Sequence, residues 1–138
     1  MANKSFYKSF VKDVSSDIDK LEGETLKEAA KHIRKKMKEK VSKKTKSLPG
    51  MPPGFNRGNL KKGIKYEITK SIYTGKTAFV GLGAPAQHGH LLEFGTAMRY
   101  TKKGVAKGRV LPRPFVIPTF EEESEAVKNI MMGNFKKL

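Results

Sequence analysis

The segment ETLKEAAKHIRKKMKEKV, residues 24–41, carries the clearest structural signal of the chain. Its apolar positions recur every three or four residues and therefore lie on one face of an α-helix. They are Leu26, Ala30, Ile33, Met37 and Val41. Ala, Leu, Glu and Lys, which supply most of the segment, are strong helix formers. The segment predicts an amphipathic helix with a buried apolar face.

The residues before this segment repeat the pattern. Their apolar members are Phe6, Phe10, Val14, Ile18 and Leu21. We therefore predict that residues 1–46 are helical. Gly23 marks a break or a bend, since glycine weakens a helix by about 1 kcal/mol relative to alanine. The apolar stripe fits a helix packed on the chain's own sheet or on a neighbouring subunit. The halves of the helix before and after Gly23 can have different packing partners.

A loop and a hairpin follow the helical region. Residues 47–58, SLPGMPPGFNRG, hold three prolines and three glycines, so residues 47–59 predict a loop and a candidate docking segment. Apolar and polar residues then alternate over residues 60–72, as in a half-buried strand. A turn at Thr74-Gly75 leads to a second strand at residues 77–82, and the two strands predict an antiparallel hairpin.

Two more short strands are predicted at residues 91–94 and 110–116. Pro112 and Pro114 would restrict the second of them to a sheet edge. Residues 97–112 between them hold no acidic residue, and we predict that they form a flexible basic arm or the tip of a long hairpin. Its cations are Arg99, Lys102, Lys103, Lys107 and Arg109.

The last element is a predicted helix over residues 118–135, opened by Pro118 with Thr119 close to its N-cap. Three glutamates at residues 121–123 would occupy its first turn, where the helix dipole favours negative charge. The elements together predict an α+β fold in a single domain, residues 1–138. It comprises a long N-terminal helix with its break or bend near Gly23, a small antiparallel sheet of three to five strands within residues 60–117, and a C-terminal helix packed on the sheet.

Charge and composition narrow the function classes. The 138 residues carry 29 basic and 13 acidic side chains, a formal net charge of +16. Residues 48–118 hold 12 of the basic and 2 of the acidic residues. This cationic middle suits nucleic acid, an acidic protein or an anionic membrane, or merely keeps the protein soluble. The absence of cysteine excludes disulfides, thiolate metal sites and a cysteine nucleophile.

Targeting signals are also absent from the sequence. No apolar run reaches the roughly 18 residues that a membrane span needs, and residues 1–12 lack the apolar core of a secretory signal. We therefore expect a soluble protein that is made in the cytoplasm and has no membrane partner.

Candidate catalytic and metal-ligating residues are few. His88, His90 and Glu93 could supply zinc ligands, but their spacing does not suit a helical site and the nearby glycines and proline indicate a turn. Glu67 and Glu93 are the only carboxylates between residues 48 and 118, too few for paired-carboxylate or two-metal catalysis. No nucleotide-binding or serine-hydrolase motif occurs. We expect no enzymatic activity, no catalytic residue, no metal and no cofactor.

Nonspecific nucleic-acid binding is the alternative interpretation. The run Lys102, Lys103, Lys107 and Arg109 suits contact with phosphates or with an acidic protein neighbour. The aromatic residues of this region do not repeat as in a single-strand stacking platform, and no base-reading motif is present. Any affinity for DNA is therefore predicted to be independent of sequence.

Three motifs resemble those of a phage minor structural family, the tail-component or head–tail joining proteins. Arg57-Gly58-Asn59-Leu60-Lys61-Lys62 is similar to TGNLRRS, His90-Leu91-Leu92-Glu93-Phe94-Gly95-Thr96 to Y-A-x-x-x-E-F-G-T, and Arg113-Pro114-Phe115-Val116-Ile117-Pro118-Thr119 to x-P-F-x-x-P-A. Their order and spacing match as well, and the resemblance covers roughly residues 5–135. Arg57, His90 or Gln87, and Thr119 stand where the family usually has Thr, Tyr and Ala.

The resemblance implies a virion structural protein of the head–tail connector, or neck, of a long-tailed phage or prophage, active in head–tail joining or tail completion. It implies a homo-oligomeric ring whose partners are neighbouring connector and tail-tube or tail-terminator proteins, with nonspecific contact to passing DNA. The protein would lie in the virion at the head–tail junction. The residues expected to serve structure or assembly are Gly58, Asn59, Leu60, Glu93, Phe94, Gly95, Thr96, Arg113, Pro114, Phe115 and Pro118.

Several of these residues have a predicted scaffold role. Gly58 and Gly95 let the backbone turn where a side chain would clash. Glu93 stands between apolar neighbours and is predicted to form an ion pair with Arg113 or Arg99, because a partly buried carboxylate needs a partner. Residues 47–58 and 97–112 have little to bury, so we predict that they are mobile in the free subunit and order on assembly.

Overall fold

The computed structural model describes residues 3–41, 59–73 and 75–136, with side chains described from residue 14 onward. The chain is α+β, as predicted. Its elements are α1 (Asn3–Lys40), α2 (Asn59–Gly63), β1 (Ile64–Ser71), β2 (Gly75–Leu82), α3 (Gly89–Phe94), β3 (Arg99–Tyr100), β4 (Ala106–Gly108) and α4 (Val116–Phe135). The predicted docking loop at residues 47–58 lies outside the described residues.

Helix α1 runs without a break for 38 residues, about 57 Å at 1.5 Å per residue. It passes through Gly23, where a break or a bend was predicted. A Cβ atom at Gly23 would lie 3.3 Å from Nζ of Lys76 on β2. The glycine therefore lies beside the Lys76 side chain of the hairpin. In the described part of the chain, no helix is both long and apolar enough to cross a membrane.

The hydrophobic core lies where the C-terminal part of α1 meets the rest of the chain. Its buried members are Ile33, Met37, Val41, Leu60, Ile64, Ala86 and Phe115, and Val80, Leu82, Leu92, Val116 and Val127 pack against them. Ile33, Met37 and Val41 belong to the stripe predicted from sequence, so that prediction is confirmed. Helix α4 packs chiefly against α1, and both strands of the β1–β2 hairpin also contact α1.

The strands form two separate antiparallel pairs among the described residues, where one sheet of three to five strands was predicted. β1 pairs with β2 from Ile64 opposite Leu82 to Ser71 opposite Gly75, which confirms the predicted hairpin. Residues 60–63, predicted as the start of its first strand, belong instead to helix α2. Side chains alternate between the two faces of a strand: Ile64 is buried, whereas Lys65 and Glu67 are exposed. β3 and β4 form a second, much shorter hairpin with an irregular register.

Three sequence-based assignments between residues 89 and 119 are wrong. Residues 91–94 belong to helix α3, residues 110–115 form no strand, and α4 begins at Val116 rather than at Pro118. Short apolar runs do not distinguish strand from helix, and tertiary packing decides between them. Here Gly89 lies so close to Leu82 that an added Cβ atom would be 2.3 Å from its Cδ1.

Candidate functional site

The carboxylate of Glu93 is the best-defined polar centre of the molecule. Its Oε2 accepts hydrogen bonds from the backbone N–H groups of Phe115 (2.7 Å) and Val116 (2.9 Å), and its Oε1 accepts one from Ile117 (2.8 Å). These amides lie at the start of α4, where helix N–H groups lack partners within the helix and the helix dipole favours negative charge. Glu93, only 5% exposed, therefore caps α4 from α3.

The cap replaces the predicted ion pair of Glu93 with Arg113 or Arg99. Three amides occupy both oxygens of the buried carboxylate, so its need for a partner is met by backbone groups. Arg113 contributes its backbone N–H to the carbonyl oxygen of Leu92 at 2.7 Å. Its Nε is buried and has no hydrogen-bond partner among the described residues.

Gly95 and Thr96 anchor the chain segment that follows α3. Gly95 has a φ of +75°, and a Cβ atom there would lie 2.7 Å from the carbonyl oxygen of Val110. The N–H of Thr96 donates to that oxygen (2.9 Å), and the N–H of Val110 donates to the hydroxyl of Thr96 (2.9 Å). Gly95 therefore serves a tight backbone approach, in the manner predicted for it.

The predicted basic arm, residues 97–112, is built around the β3–β4 hairpin and starts from this anchor. Its tip is exposed and includes a glycine at positive φ, Gly104. All five cations of the arm are exposed and have no ion pair with any described residue: Arg99, Lys102, Lys103, Lys107 and Arg109. The arm thus presents a row of unpaired positive charges on its surface.

The remaining motif residues divide between core and surface. Leu60 and Phe115 are buried in the core, and Pro118 is half-buried in the first turn of α4. Asn59, Phe94 and Pro114 are exposed, and Gly58 lies outside the described residues. Thr119 is not at the N-cap: it is buried one turn into α4, where its hydroxyl donates to the carbonyl oxygen of Phe115 at 2.5 Å.

His88 and His90 are both exposed, beside and within the first turn of α3. Nδ1 of His90 lies 2.7 Å from the carbonyl oxygen of Gln87, while both oxygens of Glu93 are engaged at α4. Within the described residues, no three histidine or carboxylate side chains are grouped as a metal site requires.

Residues 14–18 of α1, here called the exposed segment, carry the apolar stripe into solvent. All five residues are exposed, including Val14 at 41% and Ile18 at 47%. On the same helix, residues 25–41, here called the packed segment, bury their apolar positions except for Leu26, which is half-buried. The apolar stripe therefore extends further along α1 than the part of the helix against which the other described elements pack.

Asp19 marks the boundary between the two segments. Its Oδ1 lies 3.1 Å from Nζ of both Lys70 and Lys76, and Nζ of Lys76 also donates to its carbonyl oxygen. Hydrogen bonds from Lys70 and then Lys76 hold the pKa of Asp19 below its ordinary value. The nearby hairpin turn exposes two large side chains, Ile72 and Tyr73, at 91% and 90%.

An open groove of about 510 Å³ beside α1 and α2 was not identified from the sequence. Its lining side chains are Lys31, Arg34, Lys35, Lys38 and Glu39 of α1 and Lys61 of α2. Burial, followed by repulsion from Arg34 and Lys61, lowers the pKa of Lys38. The helical spacing 31, 34, 35, 38 was a signal for this cationic face, but the overall charge of the chain obscured it.

The comparisons with known proteins identify a phage family. The family model described as "Bacteriophage HK97-gp10, putative tail-component" matches residues 4–95, about two thirds of the chain. The match includes the first motif and the second as far as Gly95, and it ends before the third. No curated protein and no solved structure gives a significant match.

Proposed function

Since the chain belongs to the HK97 gp10-like family of phage tail components, we propose that it is a non-enzymatic subunit of an oligomeric ring at the head–tail junction. In this role it joins head to tail or completes the tail. Its partners are further copies of itself and the adjoining connector and tail-tube or tail-terminator proteins. The family membership supports a structural protein of the virion; the ring and the junction are the finer proposal.

The exposed segment of α1 is the observation that carries the proposal. Val14 and Ile18 continue a stripe that is buried further along the same helix, yet both are more than 40% exposed. Ile72 and Tyr73 add exposed apolar surface at the hairpin turn. Apolar side chains exposed along a face that is otherwise buried favour contact with another protein. One repeated contact between identical subunits closes most simply into a cyclic ring.

The folded chain also provides a rigid base for such contacts. The Glu93 cap fixes the start of α4, and the Gly95–Thr96 anchor fixes the base of the arm. We propose that residues 1–138 act as one domain on this base, and that residues 47–58 and 97–112 reach neighbouring subunits. In this proposal the motif residues serve folding and assembly.

Particle microscopy tests the ring directly. Cryo-microscopy of virions and of the purified protein should show a closed ring at the head–tail junction, and native mass spectrometry should give one discrete multiple of the subunit mass. A protein that is absent from virions and monomeric at high concentration would contradict the proposal.

A double variant tests whether the exposed segment mediates assembly. Val14→Asp with Ile18→Asp should abolish the oligomer and retain the melting temperature of the wild-type monomer, because neither side chain is buried. Ser15→Asp with Ser16→Asp is the matched control, since it adds the same charge in the same exposed turn. Equal loss of assembly in both variants would indicate a charge effect, not an apolar contact.

Nonspecific nucleic-acid binding remains a second candidate function, favoured by the unpaired cations of the basic arm. Replacing Lys102, Lys103, Lys107 and Arg109 by Ala should lower the salt dependence of DNA binding if they touch phosphates. It should impair joining and leave DNA binding unchanged if they touch an acidic protein. Marked preference for one duplex sequence, retained in high salt, would favour a dedicated DNA-binding protein over a joining protein.

A further inference from the structure

We propose that the groove lined by Lys31, Arg34, Lys35, Lys38 and Lys61 is a binding site for the phosphate backbone of duplex DNA. This site is separate from the basic arm. The proposal goes beyond the role of a ring subunit and does not require a particular oligomer.

The cations on the two sides of α1 differ in whether they have acidic partners. On the side that faces α4, His32 lies 2.7 Å from Glu123, Lys40 lies 2.7 Å from Glu122, and Lys36 lies 3.9 Å from Glu123. The chain thus supplies acids to the cations on that side. On the groove side, Lys31, Lys35 and Lys38 form no ion pair with any described residue.

The other groove residues do not neutralise this charge. Nε of Arg34 donates to the carbonyl oxygen of Ile64 at 3.1 Å, and its guanidinium lies 5.8 Å from the ring centroid of Tyr66. Glu39 is the one acid among the described lining residues, and its Oε2 lies 3.9 Å from Nζ of Lys36, which does not line the groove. Lys31, Lys35 and Lys38 therefore leave a local excess of positive charge. The lowered pKa of Lys38 reflects burial beside other groove cations, which a bound anion would offset.

A second copy of the chain cannot supply the missing anion efficiently. Each copy carries a net charge of +16, so a second copy seated on the groove would bring more cations than acids to it. The acid-rich stretch at residues 121–125 already gives Glu122 and Glu123 to α1 of its own chain. The partner must therefore be a different, strongly anionic molecule.

Charge density favours duplex DNA over an acidic helix. Residues 31 to 38 rise about 10 Å along α1 and carry four of the five groove cations. Duplex DNA presents one negative charge per about 3.4 Å along each strand, hence about three per strand over that length. An acidic helix with carboxylates every fourth residue presents one per about 6 Å. The groove matches the duplex.

The composition of the groove predicts contact without sequence reading. Lysine ammonium groups act as mobile point charges, whereas arginine provides the planar fork for paired hydrogen bonds. The single arginine already uses its Nε within the fold. Phosphate contacts of this kind position a protein on DNA and carry no sequence information.

Fluorescence anisotropy with two unrelated duplexes over a salt series tests the site. The groove variant is Lys31→Gln, Lys35→Gln and Lys38→Gln; the matched arm variant is Lys102→Gln, Lys103→Gln and Lys107→Gln, which removes the same charge. The log–log salt slope should fall by about 0.9 per lost phosphate contact in the groove variant, and by less in the arm variant. An unchanged slope in the groove variant would overturn the proposal, because the groove would then have no role in DNA binding. Equal changes in both variants would also overturn it, because net charge alone would then explain the binding.

Two further measurements keep the test decisive. In the wild-type protein, duplex DNA should slow chemical acetylation of Lys31, Lys35 and Lys38 but not of exposed Lys128 on α4, whether or not the variant folds. If the groove variant loses binding to poly-glutamate while the salt slope of its DNA binding is unchanged, the partner is an acidic protein and the proposal fails. Ring formation is read from particle images, so a failure of the ring and a failure of this site are distinguishable.

Discussion

The exposed and packed segments of α1 have the same apolar periodicity and opposite environments. In the packed segment, Ile33, Met37 and Val41 are buried at 4%, 0% and 1% exposure. In the exposed segment, Val14 and Ile18 stand in solvent. Apolar periodicity therefore indicates which face of a helix favours burial. Whether that face is buried within the same chain depends on whether another part of the chain packs against it. Lys70 and Lys76 of the β1–β2 hairpin contact α1 at Asp19, and we propose that another molecule covers the stripe before this residue.

The largest expected effect concerns the cap that holds α4 beside the packed segment. Glu93→Ala would leave three amides at the start of α4 without their acceptor. Losing charge-assisted hydrogen bonds at a buried site should destabilise the fold by about 3–5 kcal/mol, measured by urea unfolding. Glu67→Ala, on the exposed face of β1, is the control and should change stability by less than about 0.5 kcal/mol. Equal, small changes would mean that Glu93 does not fix α4.

A pair of isoleucine truncations compares the two segments directly. Ile33→Ala should cost about 2–4 kcal/mol, because it removes buried methyl groups and leaves a cavity. Ile18→Ala should change the unfolding free energy of the monomer by less than about 0.5 kcal/mol but weaken assembly. If Ile18→Ala destabilises the monomer as much as Ile33→Ala, the exposed segment is covered within its own chain.

The smallest expected effect lies at the boundary. The folded-state pKa of Asp19 is lowered by Lys70 and Lys76, so its contribution to stability is present above the ordinary pKa of aspartate. That contribution is lost as the pH falls through the lowered pKa. Asp19→Asn should melt earlier than wild type near neutral pH, and the two curves should converge in acid.

The control for this prediction is Asp17→Asn, whose only ion pair among the described residues is the long, exposed contact with Lys20 at 3.9 Å. Its melting curve should follow that of the wild type across the pH range. A wild-type advantage over Asp19→Asn that persisted unchanged in acid would show that Asp19 does not act through its charge.

The regular elements were predictable because their signals are local. The helical stripe of α1, the alternation in β1 and β2, and the family motifs all follow from spacing along the chain. Gly95 was also predictable in part, since its φ of +75° is a local backbone conformation that favours glycine, whereas its close approach to Val110 was not visible in the sequence. These features establish the fold class and the family.

The features that sequence reasoning missed depend on contacts between distant residues. Glu93 was expected to need a partner, but an ion pair was chosen because sequence shows charges and not free amides. The amides became available only because α4 starts at Val116, two residues before the predicted start. The groove was missed for a similar reason, since Lys61 joins the α1 cations only after α2 has folded beside them.

Thiol labelling at Ile18 tests the central claim most directly, namely that the exposed segment is covered by a neighbouring molecule. The chain has no cysteine, so Ile18→Cys introduces a single reactive site. The account predicts rapid reaction with a maleimide in the free chain and much slower reaction in assembled particles. Equal labelling rates in the free chain and the assembled particle would contradict it.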